Sequence, residues 1–151
     1  MPQVVRVSSV EKTEKLKTYL MELFKEGRYA EITEAVGMHS LIVDPQHTLS
    51  DQAGLYRFVL DLVRERIHKA RGKGYAAWYE GFPKIMDRMI DSGGIVSDKA
   101  AADMLSSHRA AYGRFKSVED FFFWALDDRR LPLEQIVECI EKTAEVKSNK
   151  A

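Results

Sequence analysis

The sequence predicts an all-α fold, a single bundle of about six to seven helices. Three observations lead there. Apolar residues recur at spacings of three and four in one segment after another. Ser, Asp, Gly and Pro stand at the ends of those segments, where they cap or stop helices. No two segments alternate in the manner of strands that could pair into a sheet.

Val4, Val5 and Val7 form a short β-prone piece, read as an extended lead-in over residues 1–8. Ser8 and Glu11 have capping-box spacing and open the first helix. Leu16, Tyr19, Leu20, Leu23 and Phe24 form its apolar stripe, and Gly27 ends it. A shorter helix follows with Tyr29, Ile32 and Val36 on one side and Gly37 as its stop. His39–Asp44 is too short for periodicity to separate helix from strand. Pro45 disfavours helix at Asp44, so Pro45–Leu49 reads as a loop.

Ser50–Gly74 is the segment around which the chain is organised. Ser50 is its N-cap and Gly72 its stop. Leu55, Phe58, Val59, Leu62, Val63, Ile67 and Ala70 share one helical face. Tyr75–Asp91 is helical in pattern, with Gly81 and Pro83 read as an interruption and Ser92-Gly93-Gly94 as the close. Ser97 is read as the cap of Asp98–Tyr112, which Gly113 ends. Ser117 with Asp120 opens Val118–Asp128, and a last helix begins near Pro132. Residues 147–151 read as a frayed tail. No repeat or linker divides the 151 residues, so one helical domain is expected.

At 45% hydrophobic and 30% charged residues, the composition is that of a folded protein rather than a disordered one. Lys plus Arg balances Asp plus Glu at 23 each, so net charge selects no partner class. Distribution is more informative. Arg57 to Lys116 holds twelve basic and seven acidic residues, whereas Ser117 to Val146 holds three basic and eight acidic. Cys139 is the only cysteine, which rules out an intrachain disulfide. The N-terminus does not resemble a signal peptide, and no apolar run reaches the roughly 20 residues of a bilayer span. A cytoplasmic protein without membrane attachment is expected.

The basic end of the central helix is the first functional candidate. Arg57, Arg64, His68 and Arg71 lie opposite Val59, Leu62, Val63 and Ile67, with Arg66, Lys69 and Lys73 on the flanks. Tyr75, Trp78 and Tyr79 follow directly. A second group, His108, Arg109, Tyr112, Arg114, Phe115 and Lys116, repeats the mixture. Cations neutralise phosphates and aromatic faces stack on unpaired bases, so both groups suit nucleic acid or another polyanion. The structural alternative is that cations favour helix C-termini and the aromatics are core.

Phe121, Phe122, Phe123 and Trp124 are four consecutive aromatics, which a helix cannot place on one face. The helix is therefore buried on most sides, or Phe123 and Trp124 meet a partner protein or a second copy. Phe121, Phe122 and Trp124 are expected mainly in the core and Phe123 most exposed. This helix is acidic at both ends, so it does not suit a DNA-reading helix.

Glu65 and His68 have a metal-ligand spacing, but a di-iron site needs the motif twice and here arginines flank it. No metal or other cofactor is expected. Cys139 lies near the apolar face of the last helix and reads as an inert thiol. No phosphate loop, nucleophile elbow or paired acid–base constellation is present, so the reading leans away from an enzyme. Tyr75–Gly94, with Pro83 and Gly93-Gly94, is loosely similar to a segment in the small helical subunits of type III CRISPR effector complexes, where the glycine lies closer to the proline. The similarity is confined to that segment, and no family is assigned on it. The expected function is a nucleic-acid-binding accessory protein within a larger assembly. The alternative is a protein-interaction or regulatory module using the aromatic helix and the acidic C-terminal part.

Overall fold

The computed structural model describes the backbone of residues 2–43, 49–127 and 130–145, and among these the side chains of 14–38, 52–127 and 130–145. The described residues form seven helices and no strand, so the chain is all-α. The helices are α1 (Pro2–Lys25), α2 (Tyr29–Val43), α3 (Leu49–Arg71), α4 (Gly74–Ser92), α5 (Lys99–Tyr112), α6 (Val118–Leu126) and α7 (Leu133–Glu145). Contacts group the chain into two compact units, Met1–Leu62 and Val63–Ala151, with the division falling inside α3.

In the first unit α1 packs against α2. Leu20, Leu23 and Phe24 of α1 are buried, as are Ile32 and Val36 of α2. The two ends of the connection are tied by a bond from Arg28 N–H to Leu23 C=O at 2.9 Å. Two boundaries differ from the sequence expectation. The lead-in is helical from Pro2, so Ser8 is not a cap. Proline fits the first helical position because the N–H it lacks has no partner there. Helix α2 also runs through Gly37 to Val43, making His39–Val43 helical. A mid-helix glycine costs about 1 kcal/mol, a modest penalty where a buried stripe holds the helix. Asp44–Thr48, with His47 and most of the expected loop, lies outside the described residues.

In the second unit α4 is central, packing on α5, α6 and α7, while α6 also packs on α7. Its buried residues Trp78, Phe82, Ile85, Met86 and Ile90 follow helical spacing. That continuous stripe explains why α4 does not break at Gly81 and Pro83: Pro83 sits inside one helix. The lost backbone bond is outweighed by apolar burial on both sides of it. Gly72 at φ 56° turns the chain from α3 into α4, with its N–H on His68 C=O at 2.8 Å. Gly93 closes α4 in the left-handed conformation at φ 78°.

Three further boundaries are set by side chains. Leu49 already belongs to α3, so Ser50 is not its N-cap. Asp98, not Ser97, caps α5, accepting from Ala100 N–H at 2.8 Å and Ala101 N–H at 3.2 Å. A carboxylate reaches both amides and gains from the helix dipole, as a hydroxyl does less strongly. Ser117 caps α6 as expected, accepting from Asp120 N–H at 3.0 Å. Asp120 reaches back one residue beyond the cap to Lys116 N–H at 2.9 Å.

The core holds one buried polar side chain among the described residues, Thr143 of α7. Its hydroxyl accepts from Trp78 Nε1–H at 2.9 Å and donates to Ile140 C=O at 2.6 Å. The indole N–H of Trp78, which is fully buried, is thereby satisfied, which is the condition for burying Trp at little cost.

Candidate functional site

Helix α3 presents a narrower free basic face than its sequence suggests. Its buried positions are Leu55, Val59, Leu60, Val63 and Ile67, while Leu62 is only half-buried and Ala70 is exposed. Leu60 shifts the buried stripe round the helix. Arg64, four residues on, therefore falls at the border of the buried face instead of opposite it.

The Arg64 guanidinium lies 2.8 Å from Glu119 of α6 and 5.0 Å above the Tyr79 ring, and donates to Tyr75 Oη at 3.4 Å. Tyr79 Oη donates to the same Glu119 oxygen at 2.6 Å. Burial opposes the charged form of Glu119, but the Tyr79 hydroxyl, a backbone hydrogen bond, the Arg64 charge and Ser117 together outweigh it and hold the carboxyl below its ordinary range. The same hydrogen bond pushes the Tyr79 phenol up. Arg66 donates to Glu141 of α7 at 2.6 Å. Arg71 donates to Gly74 C=O at 3.2 Å and to Ala144 C=O. All three arginines are half-buried and tie α3 to its neighbours.

Arg57, His68, Lys69 and Lys73 are exposed. The His68 and Tyr75 rings are nearly perpendicular at 4.9 Å, and Lys69 stands 4.0 Å from Glu65. Lys73 has no internal partner among the described residues. Arg66 and Arg71 also line a groove of about 600 Å³ with Ile67, Ala70, Glu141, Ala144 and Glu145.

The second group is likewise split by its ion pairs. Arg109 reaches Asp87 at 3.3 Å and also pairs with Asp91, both on α4, and Arg114 stands 3.6 Å from Asp87. The Lys116 ammonium is exposed and unpaired among the described residues. What the structure brings together is an aromatic row. His108 lies parallel to Phe115 at 4.5 Å and 3°, with Trp124 at 4.5 Å and Tyr112 at 5.1 Å. Phe115 is buried and Tyr112 is 80% exposed. Arg130 sits over Trp124 at 5.4 Å. Burial pushes the His108 pKa down; Arg130 adds to this, and Asp120 opposes it.

Phe121 and Phe122 are fully buried, and Phe123 and Trp124 are both half-buried. Trp124 is therefore less enclosed than expected: α6 turns Phe121 and Phe122 to the core and leaves their successors at its margin. Arg130, Glu119 and Thr143 were not singled out from the sequence. The packing of α6 and α7 reveals Glu119 and Thr143, whose partners Arg64, Tyr79 and Trp78 lie far along the chain, whereas Arg130 stands by its near neighbours Trp124 and Asp127.

Cys139 is buried, and desolvation, with Glu138 adding and Lys142 opposing, pushes its thiol up to about 12. Glu65 and His68 are both exposed, and among the described residues no group of three or more His, Cys, Asp and Glu is placed to hold a metal. No described helix is long and apolar enough to cross a membrane. Comparisons of the chain with protein-family models, with curated proteins and with solved structures find no match.

Proposed function

We propose that this protein is a non-enzymatic nucleic-acid-binding accessory protein that works as a subunit of a larger assembly. The supporting observation is the division of labour at the end of α3. Arg64, Arg66 and Arg71 are spent on Glu119, Glu141 and backbone carbonyls, whereas His68, Lys69 and Lys73 face solvent. Exposed cations carried on one helix end can neutralise successive phosphates of a nucleic-acid backbone. Lys116 adds a further free charge. The expected phosphate-contacting set thus narrows to the exposed members of the basic group.

Fluorescence anisotropy with labelled single- and double-stranded oligonucleotides across a salt series tests this reading. Affinity is expected to fall steeply as salt rises, through counterion release. Absence of binding even at low salt overturns it. A second reading draws on Phe123 and Trp124, whose half-exposed rings suit docking on a protein partner or a second copy. Sedimentation of the protein with and without oligonucleotide separates the two.

A further inference from the structure

We propose that Tyr112, the exposed end of a row with His108 and Trp124 packed behind it, is a platform on which an unpaired nucleobase stacks, so that the preferred ligand is single-stranded nucleic acid; this rests on the nucleic-acid reading above. Three observations support it. First, the rings are contiguous. Tyr112 lies 5.1 Å from His108, and His108 lies 4.5 Å from Trp124. Second, the row is backed by packed aromatics. His108 stacks on buried Phe115, which meets fully buried Phe121 edge-on at 5.2 Å. A ring held this way loses little freedom when a base lies on it. The outermost ring, Tyr112, is 80% exposed at the end of α5, a position whose packing does not explain an aromatic.

Third, the surroundings carry charge that suits phosphates. Arg114 and Lys116 follow Tyr112 in the chain, and Arg130 covers Trp124. Arg114 and Arg130 stand 3.6 and 3.7 Å from Asp87 and Asp127, while the Lys116 ammonium has no partner among the described residues. Of the acids around the row, Asp120 accepts from the Lys116 N–H. Aromatic faces flanked by cations are the composition of single-strand grooves. A duplex hides its base faces, so such a platform discriminates between the two forms.

The test uses fluorescein-labelled oligo(dT) and oligo(U), the matching duplexes, and an abasic strand of equal length. Wild type is expected to prefer the base-bearing single strands. Tyr112→Leu is expected to weaken that binding about 5- to 100-fold while leaving duplex and abasic binding and the salt slope unchanged. Tyr112→Phe keeps the ring and is expected to bind as wild type does. Equal affinity for all three ligand types, or wild-type affinity in Tyr112→Leu, overturns the platform and leaves phosphate contact standing. Loss of self-association in Tyr112→Leu with unaltered oligonucleotide binding also overturns it, assigning the patch to a second copy. No binding of any ligand at low salt removes both this inference and the reading beneath it.

Discussion

Arg64 of α3 and Glu119 of α6 form a half-buried ion pair at 2.8 Å, separated by 55 positions in the chain. Tyr79 of α4 donates to the same carboxylate, so one oxygen joins three helices. Glu119→Gln is expected to cost about 1–3 kcal/mol, since it removes a charge-assisted acceptor and leaves a half-buried guanidinium short of its partner. Denaturant titration measures this. The folded pKa of Glu119 is depressed, so its contribution is present above the unfolded value of about 4.3 and is lost as pH falls through the folded value. Wild type should therefore lose more stability than Glu119→Gln on acidification below that range. Parallel pH profiles for the two would exclude the pair as a stabilising contact.

The consecutive aromatics of α6 make a second prediction. Phe122 is fully buried and Phe123 half-buried, with the two rings edge-on at 5.3 Å. Phe122→Ala is expected to destabilise by about 3–5 kcal/mol, from lost apolar burial plus the cavity left behind. Phe123→Ala should cost clearly less. Equal losses on chemical denaturation would contradict the burial difference.

The helical periodicity of the chain made its fold class legible, because a core stripe writes itself at spacings of three and four. Leu20, Leu23, Phe24, Val59, Val63, Ile67, Phe121 and Phe122 are buried where their spacing places them. Boundaries were less legible where local punctuation and tertiary packing disagree. Gly37, Gly81 and Pro83 are helix breakers by propensity, yet all three lie inside helices, and in α4 the stripe is buried on both sides of Gly81 and Pro83. The candidate site was legible only in part for a related reason. A cation on a helix border looks like a solvated one until its partner is known. Glu119, Glu141 and the Ala144 carbonyl, the partners of Arg64, Arg66 and Arg71, come from helices some 50 to 75 positions later.

His108 supplies a pH-dependent prediction. It is packed between Phe115, Trp124 and Tyr112, with Asp120 and Arg130 as the charged groups acting on it. Burial holds its pKa below the ordinary value of about 6.5, and Arg130 adds to this against Asp120. Below pH 6.5 the unfolded chain takes up a proton there before the folded chain does. Stability from this residue is therefore present above that pH and declines as pH falls through the folded pKa. Thermal melts of wild type and His108→Phe from pH 7.5 to 5 should diverge, with wild type falling more. Indistinguishable slopes would mean that His108 titrates alike in both states.

The last prediction concerns the end of α3, where the structure changes which residues are worth replacing. Arg64 and Arg71 lie on the basic line read from the sequence, but replacing them disturbs the bonds to Glu119, Gly74 and Ala144. A loss of binding there would be confounded with a loss of fold. Lys69 and Lys73 are exposed, and beyond the 4.0 Å approach of Lys69 to Glu65 neither has an internal partner among the described residues. Lys69→Gln combined with Lys73→Gln is therefore expected to leave the melting temperature within about 2 °C of wild type, because surface ion pairs contribute little. If both lysines neutralise phosphates, the double variant binds nucleic acid more weakly, and the magnitude of its log–log salt slope drops by about two units or slightly less. The weakening should apply alike to single strands and duplexes, since phosphate contacts carry no base information. An unchanged slope with intact folding would remove the exposed end of α3 from the interface and leave the aromatic margin of α6, with Phe123 and Trp124, as the surface to pursue in search of a protein partner.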